Sequence, residues 1–195
     1  AVAVSTGSCD EQECITVGIQ NEACDASFVN AAKVVFRTEP GVQYFISVQG
    51  AYHETNGNFE LQISSIELPP NDICSGALTI VPGDDPIFGS TSNATNTVSN
   101  SSCSGPDTSP DLWYRVEGTG STVTASTCGE KTTYDSQLTI YEGVGGDCST
   151  TCIVSSDDFC GLASEVQWES TVGVTYYIRV HGFSSSSGSF VLRVT

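Results

Sequence analysis

Nine cysteines, two histidines and a set of loop aspartates are the side chains of this 195-residue chain best suited to chemistry. The histidines, His53 and His181, stand far apart, and neither lies in a serine nucleophile elbow or an HExxH zinc motif. No serine, histidine and aspartate are grouped along the chain, so catalysis is not expected. Asp72, Asp135, Asp157 and Asp158 fall in turn-rich stretches, where Ca2+ collects about six to eight oxygen ligands. Their spacing matches no EF-hand, and turn capping or solvation accounts for such residues more simply.

The cysteines include no CxxC pair. So many without metal-ligand spacing point to disulfides and an oxidising compartment, hence a secreted or surface protein. Asn93 in "NAT" and Asn100 in "NSS" are N-glycosylation sequons on a stretch rich in Ser, Thr and Asn. Trp113, Trp168, Tyr141 and Tyr177 are nominees for a carbohydrate platform. Alternation sets Trp113 opposite Tyr114 and Tyr176 opposite Tyr177, so one of each pair is expected to face outward.

Composition narrows the partners. The formal charge of -17, from 23 acidic against 6 basic residues, argues against nucleic acid and anionic membrane surfaces. Two Trp, eight Phe and seven Tyr among alternating Val and Ile are too apolar for a disordered chain. No apolar run reaches the roughly 18 residues of a membrane span. With no Met and no leader-like run at Ala1, the sequence reads as a processed or partial product.

The elements that must hold these residues come from a repeat. "KVVFRTEPGVQYFISVQG" (33–50) lies over "EVQWESTVGVTYYIRVHG" (165–182) without a gap at an offset of 132, setting Phe36 on Trp168 and Gly41 on Gly173. "GNFELQI" (57–63) matches "GSFVLRV" (188–194) after a one-residue slip. Upstream, residues 1–18 resemble residues 138–155, with Cys9 and Cys14 over Cys148 and Cys152. The second copy carries residues 71–137 that have no counterpart in 1–67, so the first copy is the back half of a repeat.

Alternating runs such as "KVVFRTE", "FELQISSI", "DLWYRVEG" and "TYYIRV", parted by Gly, Pro, Asn and Ser clusters, predict strands throughout. The expected fold is all-β: two jelly-roll or Greek-key sandwiches in tandem, the first incomplete, with about five strands in the first copy and about nine in the second. The expected domains are 1–67 and 71–195. The Pro-rich 68–70 joins them as a stiff linker.

Residues 71–195 resemble the pre-peptidase C-terminal domains of extracellular proteins. The matching stretches are "NDICSGALTI", "GSTSNAT", "PDLWYRV", "TASTCG", "YDSQLTIYEG", "CIVSSDDFCG" and "TYYIRVHG". The resemblance implies a non-catalytic module with a spacer, adhesive or assembly role. Residues 1–65 match the back half of the pattern.

In the second copy the order of elements suggests bridges Cys74 to Cys103, Cys128 to Cys160 and Cys148 to Cys152, among the many pairings six cysteines allow. The first copy keeps the short pair Cys9 and Cys14. It also holds Cys24 at the position of Cys160, which leaves Cys24 unpaired or intermolecular. A sandwich lacking its first strands exposes a backbone edge and apolar surface, which must be covered. "AVAVSTG" at Ala1, Val2, Ala3 and Val4 is the expected assembly edge, unless it is an ordinary strand of the first unit. The function expected is therefore that of an extracellular filament or appendage subunit, joined to copies of itself head to tail. The alternative is an accessory module of a larger secreted protein that binds glycans or calcium.

Overall fold

The computed structural model describes the chain apart from residues 9–10, 19–31, 51–55, 99, 102, 104, 107 and 145–146. It divides into two compact units, Ala1–Glu67 and Leu68–Thr195. The Pro-rich stretch thus belongs to the second unit, where the Pro69 carbonyl accepts the Asp72 amide at 3.1 Å.

The described residues are all-β apart from one 3-10 turn at Cys74–Gly76. Three strands lie in the first unit: β1 (Val2–Gly7), β2 (Gln12–Gly18) and β3 (Tyr44–Val48). The second begins with β4 (Leu78–Thr79), β5 (Ile87–Ser90), β6 (Asn100–Ser101), β7 (Gly105–Pro106), β8 (Leu112–Glu117) and β9 (Thr122–Ser126). It continues with β10 (Ser136–Val144), β11 (Asp147–Ser156), β12 (Glu165–Glu169), β13 (Thr175–Gly182) and β14 (Ser189–Val194).

The second unit is a sandwich. A five-stranded sheet in the order β11-β10-β13-β8-β4 faces a four-stranded sheet in the order β12-β9-β14-β5. One core joins them: Leu112, Tyr114 and Val116 of β8, Leu138 and Ile140 of β10, and Ile178 and Val180 of β13 meet Val123, Trp168, Phe190, Leu192 and Val194. These are alternate positions along each strand, as a two-sided pleat requires.

The other face of the five-stranded sheet is covered too. Trp113, Tyr141 and Tyr177 form a second buried cluster under Cys74, Ala77, Val98 and Cys152. Asn71 locks onto β8 by exchanging bonds with Trp113: the Trp113 amide donates to Asn71 O at 2.9 Å, and Asn71 Nδ2 to Trp113 O at 3.1 Å. Asp72 accepts the Thr95 hydroxyl at 2.7 Å and the Thr95 amide as well. Fully buried Asp111 pairs with Arg179 at 2.8 Å and takes the Trp113 indole N–H and the Thr97 hydroxyl. The motif opening the second unit is thus a staple for this covering layer. That layer overturns the expectation that one of Trp113 and Tyr114 faces water: both are buried.

Among the described residues, the disulfides Cys128 to Cys160 and Cys103 to Cys152 hold the layers. The second replaces both the Cys74 to Cys103 and the Cys148 to Cys152 pairing of the sequence reading. Cys152 packs on the covered face of the sheet, where Cys103 reaches it with a Cα separation of 6.0 Å. Cys74 is itself disulfide-bonded.

The first unit reproduces half of this plan. Its sheet runs β2-β1-β3, the order of β11-β10-β13. Val4 faces Ile46 as Ile140 faces Ile178. The hairpin register slips after Val4 as it does after Ile140. Phe36 stacks on Tyr44 at 5.3 Å, as Trp168 does on Tyr176 at 5.9 Å. The Tyr44 hydroxyl accepts the Glu39 amide at 2.9 Å, and Tyr176 the Thr171 amide at 3.0 Å. Gly41 and Gly173 both adopt φ +80°, a conformation glycine enters without steric cost.

Two expectations fail here. The stretch Ala1–Val4 is no edge: β1 is the central strand, paired on both sides, with Val4 buried. "KVVFRTE" and "FELQI" form no strands. Their counterparts β12 and β14 pair with β9 and β5, and the described residues of 1–67 form no equivalent of either.

Candidate functional site

The first unit presents an open face. Beyond β3, no strand of the described residues continues the sheet, whereas its counterpart β13 is bonded to β8. Residues 56–67 form no strand and are exposed. Phe59, Leu61 and Ile63 are 66%, 45% and 70% accessible, against 1%, 1% and 3% for the matching Phe190, Leu192 and Val194 of β14. Equivalent apolar side chains at the same repeat positions are therefore core in one unit and surface in the other. Unpaired β edges and contiguous apolar surface are the features by which chains add strands.

Cys14 lies on this unit and carries a free, exposed thiol. It faces Ser5 across the hairpin as Cys152 faces Tyr141, so Cys14 occupies the position of Cys152. This overturns the Cys9 to Cys14 pair. The position belongs to a bond made with residues 71–137, through Cys103, and not to a bond within the hairpin. Cys9, Cys24 and His53 lie outside the described residues, as do the side chains of Cys148 and Asn100.

The second unit gathers acids at one end. Asp135 precedes β10 and Asp157 and Asp158 follow β11; pairing of Leu138 with Ser156 in that hairpin brings them together. One carboxylate oxygen from each lies within 4.8 Å of the others. Asp135 Oδ1 is buried without a hydrogen-bond partner, and Asp158 takes a left-handed φ of 57°. Burial first, then the charges of Asp157 and Asp158, hold the Asp135 carboxyl above its ordinary range. Three such oxygens suit a hard divalent cation, which main-chain carbonyls and water would complete. Asp72 is not among them; it is buried and engaged by Thr95.

The remaining nominees fall into the fold. Trp113, Trp168, Tyr141 and Tyr177 are all buried and offer no platform for a sugar. The loops that cover the outer sheet face have no periodicity, so nothing in the strand pattern revealed them. His181 is buried, with Nε2 2.9 Å from Thr139 Oγ1. Asn93 is exposed on a turn, while Thr95 of its sequon is buried against Asp72. Among the described residues, no helix is long and apolar enough to cross a membrane.

No protein-family profile matches the chain, and no curated protein does. Among solved structures it is similar to the pre-peptidase C-terminal domain of a collagenase from Bacillus anthracis. The identity is 16% over 61% of this chain and 94% of that one, with a TM-score of 0.39.

Proposed function

We propose that the protein is a non-catalytic extracellular structural module and that its incomplete first unit is an assembly face, joined head to tail to a neighbouring subunit. One observation carries the reading: Phe59, Leu61 and Ile63 are exposed where Phe190, Leu192 and Val194 are core. Apolar side chains at core positions favour association because covering them stabilises by about 25 cal/mol for each Å2 of apolar surface removed from water. A face that joins a different surface of the next subunit propagates instead of closing. The disulfides favour an oxidising, extracellular setting.

Negative-stain electron microscopy of natively isolated protein, kept free of reductant, tests the reading. Regular filaments are expected from the parent. A Phe59→Ser, Ile63→Ser variant is expected to give dispersed particles of unchanged fold. Filaments unaffected by the substitutions would contradict the assignment of the face.

A second reading, a calcium-dependent module, is favoured by the convergence of Asp135, Asp157 and Asp158. Calcium bound to the folded state alone raises the melting temperature with concentration. Asp157→Asn should abolish that rise, and an unchanged melting curve with chelator would oppose the reading.

A further inference from the structure

We propose that Asn93 accepts an N-linked glycan only before the second unit folds, and that docking of Asp72 on Thr95 closes the site.

Asn93 stands exposed on a turn in which the Ala94 amide donates to Thr91 O at 2.9 Å. A glycan on its side chain would extend into water without displacing the core. The next two residues run inward: Ala94 is 1% and Thr95 5% accessible. Every polar group of Thr95 is engaged. Its amide and hydroxyl donate to the two carboxylate oxygens of fully buried Asp72, and its carbonyl accepts the Asp111 amide at 3.0 Å.

The hydroxyl two residues on is what sets a sequon apart from an ordinary asparagine, so a transferase must reach Asn93 Nδ2 and Thr95 Oγ1 together. The reaction joins Nδ2 to the anomeric carbon of an oligosaccharide carried on a lipid pyrophosphate. The bond from that carbon to the pyrophosphate oxygen breaks, its electron pair leaves with the lipid pyrophosphate, and the amide gives up one proton. In the folded unit Thr95 Oγ1 can take part only if it is drawn off Asp72. A buried carboxylate short of its donors is strongly disfavoured, which keeps the sequon shut.

Chain order supplies the interval in which it is open. The layer that holds Asp72 needs Asn71 bonded to Trp113 of β8, and Thr95 bonded to Asp111. In synthesis from the N-terminus, Asn93 and Thr95 precede both Asp111 and Trp113, so the sequon is complete before the staple can close. The disulfides favour the oxidising setting in which such transfer takes place.

Glycopeptide mapping of natively isolated protein reads occupancy directly. A glycan on Asn93 is expected, and an Asn93 bare in every molecule would overturn the site. Timing is read on the full chain carrying Asn100→Gln, which removes the other sequon. Purified oligosaccharyltransferase and lipid-linked oligosaccharide are offered this chain folded, and the same chain reduced, alkylated and unfolded. Transfer to the unfolded chain is expected, with a several-fold loss on the folded one. Equal transfer to both would overturn the closure, and transfer to neither would overturn the acceptor. Asp72→Ala frees the Thr95 hydroxyl, so the folded variant is expected to regain transfer; a folded variant that stays inert would remove Asp72 from the account. Where that variant does not fold, the comparison of folded with unfolded parent decides alone.

Discussion

Asp111 shows how much of the second unit hangs on single polar side chains. Its carboxylate, fully buried, faces Arg179, Thr97 and the Trp113 indole. Asp111→Ala would leave a buried guanidinium without that charge, a class of change that costs about 3–5 kcal/mol. Urea denaturation should register a loss of that size, and a loss under about 1 kcal/mol would show that the covering layer does not depend on the pair. Asp135 works in the opposite sense. Burial and its acidic neighbours raise its folded-state pKa, so it binds a proton more tightly folded than unfolded. Its stabilising contribution is complete below the unfolded value near about 3.9 and is lost as pH rises through the folded value. Asp135→Asn should therefore melt above the parent at neutral pH, with the gap closing toward about pH 3. A gap independent of pH would assign the effect to packing instead.

At the scale of elements, strands form where partners exist. Alternation located β8, β13 and β14 because each has a neighbour to bond, and it failed at "KVVFRTE" and "FELQI" because pattern alone does not supply one. The offset of 132 located the repeat down to the Phe36–Tyr44 pair, yet short spacing misled the cysteine pairing. Cys152 points to the covered sheet face, which only the non-periodic loops reveal. A matched pair of substitutions tests this account. Phe190→Ala should cost about 3–5 kcal/mol. Phe59→Ala, exposed at the same repeat position, should change dispersed-chain stability by under about 0.5 kcal/mol. Equal costs, read from denaturant midpoints, would mean that Phe59 is already buried in the single chain.

For the whole molecule, the charge of -17 opposes any association between copies. Screening shortens that repulsion to about 8 Å at physiological ionic strength, while apolar burial is little weakened. Assembly followed by light scattering should therefore strengthen with added salt; weakening would indicate charge pairing across the contact instead of an apolar face. Most direct for the central claim is hydrogen exchange at Tyr44–Val48, measured in dilute and in concentrated protein. Slowed exchange of the outward β3 amides on concentration, with β13 unchanged, is the predicted result. Identical exchange of β3 at both concentrations would contradict the assignment of the incomplete unit as the assembly face.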